Sequence, residues 1–521
     1  MSKRLLKSGI IVSAMTLISR VLGLVRDMVV ANFMGTNAGA DVFFFANKIP
    51  NFLRKLFAEG AFAQAFVPVL SEYQAKDDSE AQTRELIARV SGTLGVILTI
   101  VTLIGVIASP VLVALFGFGW FLDWLNGDSG GEKFELASVL LKITFPYLWF
   151  ISLTALSGAI LNTLGKFAAA AFTPVLLNVC IILAAMFGAD YFAQPAFALA
   201  WGVFLGGLVQ FLFQIPFLLQ ANSLVRPRWG WQHPGVQKIR KLIIPALFGV
   251  SVTQINLLLD TLIASFLITG SISWLYYADR LLEFPLGLFG IGIATVILPS
   301  LSRLHANQNP QEFSQTISWA LRVVSLLGWP ALAGLMILAQ PIIMVLFMRG
   351  EFTQFDVQQV SFALWAYLCG LLSFMFIKVL APGYYARQDT KTPVKIGIIA
   401  MVANMGFNLA LAPIFGYVGL AMATAMSATL NAFLLYRGLK TLGVFELNKE
   451  TLMVIAKMIV STLAMSAVLW YLTPEFEHWL QAQLLTQILW LTGLILLGCL
   501  IYVLSLLVCG MRLRHFIVKS A

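Results

Sequence analysis

A chain of 521 residues that is 59% hydrophobic and only 11% charged is not an ordinary soluble protein, because soluble domains carry roughly 25% charged residues. Its net charge of +10 is scattered among apolar segments, which argues against a nucleic-acid-binding patch. The four cysteines lie in or beside apolar runs without metal-ligand spacing, so neither a disulfide framework nor a zinc site is indicated. We therefore expect an all-α polytopic membrane protein.

The apolar windows set the expected organisation, since a hydrocarbon core of about 30 Å needs about 20 residues of helix per crossing. The first window continues through Arg20 and Arg26 without a cleavage site, so we expect a retained helix and not a signal peptide. In chain order the windows predict fourteen spans: residues 8–34, 40–70, 88–116, 136–162, 172–189, 196–220, 238–268, 273–301, 315–347, 357–385, 392–413, 417–437, 451–472 and 485–510.

The loops between these spans alternate in charge. One set, which includes residues 221–241 and the C-terminal tail, holds most of the loop lysines and arginines, whereas the opposite set offers only Lys133 and Arg349. The positive-inside rule therefore predicts that both termini are cytoplasmic, which requires an even number of spans.

A weak internal repeat relates the two halves of the chain. Residues 46–57 align with residues 278–289 at a shift of 232, that is 278 − 46. The polar positions then pair as follows: Asn47 with Asp279, Lys48 with Arg280, and Asn51 with Glu283. We expect two six-helix lobes, residues 1–222 and 223–440, related by a pseudo-two-fold axis along the membrane normal, and a C-terminal helix pair in residues 441–521.

Four arginines fall inside predicted spans: Arg20, Arg26, Arg54 and Arg280. An arginine at the centre of a membrane helix costs about 2.5–3.5 kcal/mol on the insertion scale, so four would cost on the order of 10 kcal/mol. A shared hydrated cavity between the halves avoids most of this cost. Such a cavity selects an anion, and the planar guanidinium fork suits phosphate oxygens.

Polar side chains close to the arginines extend the expected substrate-binding set to Asn51, Asp27, Asp279 and Glu283. Asp279 and Glu283 lie one helical turn apart and so share a face. The alternative is that these acids only neutralise arginines in structural ion pairs.

A second set of polar residues occurs mostly later in the sequence, within predicted spans: Asp260, Asn404, Asn408 and Thr424. One carboxylate with amide and hydroxyl oxygens could hold Na⁺ or a proton, and interhelical hydrogen bonding is the competing interpretation. No other cofactor is expected.

Four motifs carry a resemblance to a known family: "SRVLGLVRD", "ADVFFFANKIPNFLRKLFAEGAFAQAFVPVLSEY", "SWLYYADRLLEFPLGLFGIGIATVILPSLS" and "KVLAPGYYARQDTKTPVKI". Together they resemble the MurJ (MviN) lipid II flippases of the multidrug/oligosaccharidyl-lipid/polysaccharide exporter superfamily. The similarity runs from about residue 5 to the C-terminus.

The resemblance implies export of lipid II, the undecaprenyl-pyrophosphate-linked disaccharide-pentapeptide, across the bacterial inner membrane. It implies that the four arginines line a central cavity, together with Asp41, Ser273, Asp279 and Glu283, and that the last helix pair forms a groove for the lipid tail. It also implies a sodium site in some members at the second polar set, which can carry another acid where this chain has Asn408. We expect a monomer that contacts membrane lipids and no nucleic acid.

Two other functions compete with this one. The first is an ion-coupled exporter of another polyprenyl-linked glycan or of small drugs, although cationic drugs suit an arginine-rich cavity poorly. The second is an intramembrane transferase, which needs an ordered cluster of catalytic acids that the loop acids of this chain do not form. We therefore expect a transporter and not an enzyme.

Overall fold

The computed structural model of the protein describes residues 3–55, 61–75, 79–287 and 291–512. These residues are helical or lie in connecting turns, and they contain no β-strand. The chain divides into two compact units, Met1–Ser273 with Arg349–Phe352, and Trp274–Met348 with Thr353–Ala521.

Among its described residues, the first unit contains eleven α-helices and one short 3-10 helix at Ala189–Tyr191. The helices are α1 (Lys3–Met34), α2 (Ala38–Arg54), α3 (Ala61–Gln74), α4 (Ser79–Ile107), α5 (Ser109–Phe116), α6 (Phe118–Asn126), α7 (Gly131–Thr144), α8 (Tyr147–Thr163), α9 (Phe167–Gly188), α10 (Pro195–Gln220) and α11 (Pro234–Ala264).

The core of this unit forms around α3. Its side chains Phe62, Phe66 and Leu70 recur every four residues, which places them on one helical face. That face is buried against α4, α8 and α11, and the rings of Phe62 and Phe66 stack at a centroid distance of 5.3 Å. Elsewhere in the unit α1 packs on α9, and α2 packs on α7.

The described part of the second unit contains ten helices, the first of which begins in the last residues of the first unit. They are α12 (Ser271–Pro285), α13 (Ile291–Ala306), α14 (Pro310–Phe347), α15 (Gln354–Leu368), α16 (Leu371–Tyr385), α17 (Lys391–Phe415), α18 (Tyr417–Thr441), α19 (Lys449–Leu472), α20 (Phe476–Gln481) and α21 (Leu484–Val508).

The long helix α14 organises the second unit, because α15, α16, α19 and α21 all pack against it. The hydroxyl of Tyr502 on α21 donates to the carbonyl oxygen of Leu326 at 2.9 Å. Arg322 on α14 donates to the hydroxyl of Thr451 at 3.0 Å. The predicted C-terminal helix pair is thus packed on α14. The lobe boundaries drawn from the sequence at residues 222 and 440 stay a prediction.

Ten helical segments in the described part of the chain are long and apolar enough to cross a membrane, or eleven if the bent pair α5–α6 is one span. The expectation of an all-helical polytopic membrane protein is therefore confirmed. The ten segments correspond to ten of the fourteen predicted spans, and the total of fourteen stays a prediction. They cover residues 80–107, 131–163, 167–191, 195–220, 310–347, 354–385, 391–415, 417–441, 449–472 and 484–508.

Four predicted spans are not among these ten segments, and they correspond to α1, α2 with α3, α11, and α12 with α13. Each of them includes residues outside the described set or with undescribed side chains, so the count of ten segments covers only part of each. Parts of the spans predicted at 40–70 and 273–301 also lie outside the described residues. Every arginine of the predicted substrate-binding set lies on one of these four spans.

Several predicted spans are interrupted in the structure. The helices α5 and α6 meet at an angle of 105°, next to Gly117. The predicted span 136–162 is divided into α7 and α8 at Phe145–Pro146, because proline lacks the N–H that a continuous helix needs. In the predicted span 88–116, the helix α4 ends at Ile107 and α5 follows it.

The helix order agrees with the sequence repeat. In the described part of the chain, the pair α2–α3 and the pair α12–α13 each consist of two helices of 14 to 17 residues. α12 begins at residue 271 and α2 at residue 38, a separation of 233 that is close to the repeat shift of 232. The spatial symmetry of the two lobes stays a prediction.

The turn after α14 contributes residues 349–352 to the first unit, where they contact the C-terminal end of α1. The backbone N–H of Glu351 donates to the carbonyl oxygen of Asn32 at 3.0 Å. Gly350 has a φ of +57°, and a Cβ atom there would lie 2.2 Å from the same oxygen of Asn32. Only glycine allows this approach of the two backbones.

Replacing Gly350 tests this contact. Gly350→Ala would place a side chain in the left-handed region, at about 1–2 kcal/mol, and would add the collision with Asn32. We expect a lower melting temperature of the purified protein in detergent. Gly397→Ala is the matched control, since a Cβ there meets nothing within 4 Å, and it should leave the melting temperature unchanged or slightly raised. Equal melting temperatures for both variants would contradict the close contact.

Candidate substrate-binding site

The helix α1 carries a buried ion pair, which also binds an amide side chain. The guanidinium of Arg26 donates to Oδ1 of Asp27 from Nε at 3.0 Å and from Nη2 at 2.6 Å. Its Nη1 donates to Oδ1 of Asn178 on α9 at 3.1 Å, and Nδ2 of Asn178 donates to the carbonyl oxygen of Ser19 at 3.2 Å. The side chains of Arg26 and Asp27 are only 16% and 4% exposed. Their charges therefore neutralise each other inside the unit.

Arg20 lies on a different, exposed part of α1. Its side chain is exposed among the exposed apolar residues Leu17 and Val21. Within the part of the chain that the structure describes, no acidic residue pairs with Arg20. A guanidinium in that position needs water or an anion, because hydrocarbon would not solvate it.

The beginning of α2 is held by a buried carboxylate. Asp41 is 2% exposed, and its carboxylate accepts three hydrogen bonds: from the backbone N–H of Gly270 at 2.7 Å, and from the N–H and the hydroxyl of Ser273 at 2.9 and 2.7 Å. Ser273 lies in the first turn of α12, where free backbone N–H groups favour a negative charge. The predicted pair Asp41 and Ser273 therefore lies together, with both side chains engaged with each other.

The later part of α2 presents a polar stripe with helical spacing. Nε of Arg54 donates to Oδ1 of Asn51 at 3.1 Å, and Nζ of Lys48 donates to the hydroxyl of Thr261 on α11 at 3.0 Å. Residues 51–54 are half-buried, so the stripe is neither in the core nor fully exposed. Asn51 thus positions the guanidinium of Arg54.

In the second unit, Arg280 on α12 is held by two neighbours on its own helix. Its Nη1 donates to Oε2 of Glu283 at 2.9 Å, and its Nη2 donates to the hydroxyl of Tyr276 at 3.2 Å. The guanidinium carbon lies 5.0 Å from the centre of the Tyr276 ring. The side chains of Arg280 and Glu283 are 34% and 54% exposed, and Asp279 is exposed beside them. An exposed pair of this kind is weak, so Arg280 is positioned and still accessible.

The second polar set is divided between the two units. Asp260 is half-buried on α11 in the first unit. In the second unit Asn404 and Asn408 are fully buried, one turn apart on α17. Thr424 lies on the adjacent helix α18, and its hydroxyl donates to the carbonyl oxygen of Leu420 at 3.0 Å. Among the described residues no group of three or more His, Cys, Asp or Glu side chains could hold a metal ion, so any ion here needs amide and hydroxyl oxygens.

Three side chains of this network were not predicted from the sequence: Asn178, Thr261 and Tyr276. Asn178 is a single amide in the otherwise apolar helix α9, and that isolation is the one sequence signal that could have indicated it. Tyr276 precedes Arg280 by one helical turn, a spacing that places an aromatic ring beside a cation.

A solved structure described as the inward-facing conformation of a multidrug resistance MATE family transporter of the MOP superfamily shares this fold. The TM-score is 0.66 at 15% sequence identity, with 83% of this chain and 97% of that chain covered. At this identity the match concerns the fold alone. The chain therefore shares the helical membrane-protein fold of that structure.

More similar proteins define the family. The family model "Lipid II flippase MurJ" matches residues 30–490. A probable lipid II flippase MurJ of Vibrio cholerae is 65% identical over 513 residues, which are 98% of each chain, and one of Haemophilus influenzae is 58% identical over 512 residues, which are 97% of this chain and 100% of the relative. A solved structure described as "Lipid II flippase MurJ, inward closed conformation" has a TM-score of 0.80 at 29% identity and covers 95% of this chain and 98% of that chain. The chain belongs to the MurJ lipid II flippase family, as its motifs indicated.

The buried ion pair can be tested through stability. Asp27→Asn leaves the mostly buried charge of Arg26 without its carboxylate, which should destabilise the protein by about 3–5 kcal/mol. The double variant Arg26→Gln with Asp27→Asn removes both charges and should recover most of this loss. Thermal unfolding of the purified variants measures both effects. A double variant as unstable as the single one would show that the loss does not come from an unpaired charge on Arg26.

Proposed function

We propose that the protein flips lipid II from the cytoplasmic to the periplasmic leaflet of the bacterial inner membrane. Membership of the MurJ family supports the substrate and the membrane. The members of this family are flippases, so the protein is a transporter and not an enzyme. The drug-exporter and transferase alternatives are not favoured by these relatives.

The observation that carries the mechanism is the placement of four arginines inside predicted membrane spans. Lipid II joins its lipid tail to the sugar headgroup through a diphosphate, which is the one part of the molecule with concentrated negative charge. Arginine binds such oxygens with two parallel N–H donors. We propose that Arg20, Arg26, Arg54 and Arg280 provide these donors in a hydrated cavity between the lobes.

The polar residues near the arginines have different proposed roles in this site. Asn51 and Glu283 orient Arg54 and Arg280, as their hydrogen bonds in the structure suggest. Asp27 balances Arg26, and Asp279 lies exposed beside Arg280. We further propose that Glu283 and the diphosphate exchange places on Arg280 during transport, so that the arginine loads the substrate without holding it permanently. Asp41 and Ser273 would act by keeping α2 and the start of α12 together.

The proposed architecture is fourteen spans in two six-helix lobes with a pseudo-two-fold axis along the membrane normal, plus the C-terminal pair. Both termini would be cytoplasmic by the charge of the loops. The headgroup would enter the cavity from the cytoplasm, and rocking of the lobes would reopen it to the periplasm. The exposed apolar side chains of α19 and α21, among them Leu463 and Leu496, would lie along the lipid tail. The proposed working unit is a monomer.

The membrane potential favours this direction of transport. With the cell interior negative, moving an anion outward releases about 2.3 kcal/mol per charge for each 100 mV. A diphosphate carries enough negative charge for this electrical free energy to be appreciable. The potential could therefore drive the cycle with or without a coupled ion.

The most direct test in cells is the accessibility of lipid II. In bacteria depleted of this protein, a membrane-impermeant reagent that labels external lipid II should find much less of it, while total lipid II accumulates. Restoring the protein should restore the labelling. Unchanged external lipid II after complete depletion would overturn the proposed function.

Substitutions at Arg280 test the diphosphate contact. Arg280→Glu should abolish complementation of a depletion strain at normal protein levels, and Arg280→Lys should lower transport about tenfold, because an ammonium cannot form the paired hydrogen bonds. Arg437→Glu is a matched control, since Arg437 is an exposed arginine near the end of α18, outside the proposed site. Full activity of the lysine variant would argue against the paired contact.

We also propose that Asp260, Asn404, Asn408 and Thr424 form a low-affinity Na⁺ site. A Na⁺ concentration ten times the dissociation constant would stabilise the folded protein by about 1.4 kcal/mol. The melting temperature should therefore rise more in Na⁺ than in K⁺ at equal ionic strength. Asp260→Asn should remove the difference and Asn408→Asp should enlarge it. Identical curves for Na⁺ and K⁺ in the wild type and in Asn408→Asp would exclude the site.

A further inference from the structure

The connection between α10 and α11, residues 221–233, lies across the helix α4. We name it the tryptophan loop. The N–H of Arg228 donates to the carbonyl oxygen of Ala88 at 2.8 Å, and the N–H of Gly230 donates to the hydroxyl of Thr93 at 3.0 Å. Nη1 of Arg89 donates to the carbonyl oxygen of Trp229 at 2.7 Å. These bonds fix the loop in one position on α4.

The approach of the loop to α4 requires glycine. A Cβ atom at Gly92 would lie 2.3 Å from the backbone oxygen of Arg228, so the loop backbone rests directly on the helix. A built contact of this kind distinguishes the tryptophan loop from a simple connection between two spans.

The sequence of α4 fixes the depth of the loop. Its charged residues end at Arg89, and residues 90–107 contain none. The bonds to the loop are made at Ala88, Arg89 and Thr93, on both sides of this change. The loop therefore lies where the apolar part of α4 meets its polar end, which for a membrane span is the boundary between hydrocarbon and headgroups.

Two indole rings occupy this boundary. Trp229 and Trp231 stack with their centroids 6.0 Å apart and an interplanar angle of 8°. They are 53% and 42% exposed, and the guanidinium of Arg240 lies 4.2 Å from the centre of the Trp231 ring. Tryptophan is enriched at membrane interfaces because its ring is apolar and its N–H is polar.

The charge around the indoles has one sign. Residues 221–241 contain five lysines and arginines and no acid. Arg228 and Lys238 pair with the glutamates Glu85 and Glu72. Arg226 and Lys241 are exposed, and the described residues provide no acidic partner for them. These two positive charges are therefore available to an anion from outside the protein.

We propose that the tryptophan loop binds the anionic headgroups of the surrounding bilayer, with Trp229 and Trp231 at the edge of the hydrocarbon and Arg226 and Lys241 on lipid phosphates. Basic side chains beside a bilayer attract anionic lipids, and interfacial tryptophans hold the depth of a span. The role of this surface differs from that of the proposed substrate site, because the lipid that binds here stays in one leaflet and is not transported. It would fix α4 and α10 at one depth in the membrane.

Tryptophan fluorescence of the full chain in lipid nanodiscs tests this inference. The signal of the loop is the difference between the wild type and the variant Trp229→Phe with Trp231→Phe. It is measured with brominated phosphatidylglycerol or with brominated phosphatidylcholine, at the same bromolipid fraction and the same total lipid charge. We expect brominated phosphatidylglycerol to quench the loop signal at least about twofold more strongly. Arg226→Gln with Lys241→Gln should keep the quenching and remove this preference.

The matched control is Trp470→Phe, since Trp470 is 78% exposed near the end of the apolar helix α19 and belongs to the second unit. Its signal should be quenched equally by both lipids. Equal quenching of the loop signal by both lipids would overturn the anionic preference. Quenching of the loop signal by aqueous iodide and by neither bromolipid would show that the loop faces water, as a binding surface for a soluble protein would.

Discussion

Hydrocarbon does not solvate a guanidinium group, and this one constraint organises the molecule. Ten segments of the described chain are long and apolar enough to cross the bilayer. The helices that carry the arginines instead provide each buried charge with polar neighbours, as Arg26 has in Asp27 and Asn178. A chain that only needed to fold in a membrane would not keep such residues, because removing them would avoid their insertion cost. Their presence is therefore best explained by a task that needs positive charge inside the membrane.

The structure also ranks the arginines by how available they are. Arg26 is 16% exposed and shares its charge with a buried carboxylate, so much of its effect is on stability. Arg280 is 34% exposed, and its carboxylate partner is itself largely exposed. Arg20 is exposed without an acidic partner among the described residues. The alternative interpretation, in which acids simply neutralise arginines, thus describes Arg26 well and Arg20 not at all. Arg280 lies between these cases, which suits a residue that must bind and then release an anion.

Much of this could be predicted from the sequence, because apolar windows and buried charges are local signals. The ten apolar spans, the arginines and the family motifs are all visible in short stretches. Contacts between distant parts of the chain are not. The hydrogen bond between Arg26 and Asn178 joins residues 152 positions apart, and the hydrogen bond between Ser273 and Asp41 joins residues 232 positions apart. Hydropathy alone does not describe the bend between α5 and α6 either.

The central claim is that arginines within the membrane recognise the diphosphate of lipid II. Equilibrium binding to the purified protein measures this directly, with lipid II compared with an analogue whose diphosphate is replaced by an uncharged linker. The account predicts that the wild type strongly prefers lipid II, and that Arg20→Gln and Arg280→Gln each reduce this preference while binding of the analogue is unchanged. A preference for lipid II that is retained in full when the four arginines are replaced together, in a folded protein, would contradict it.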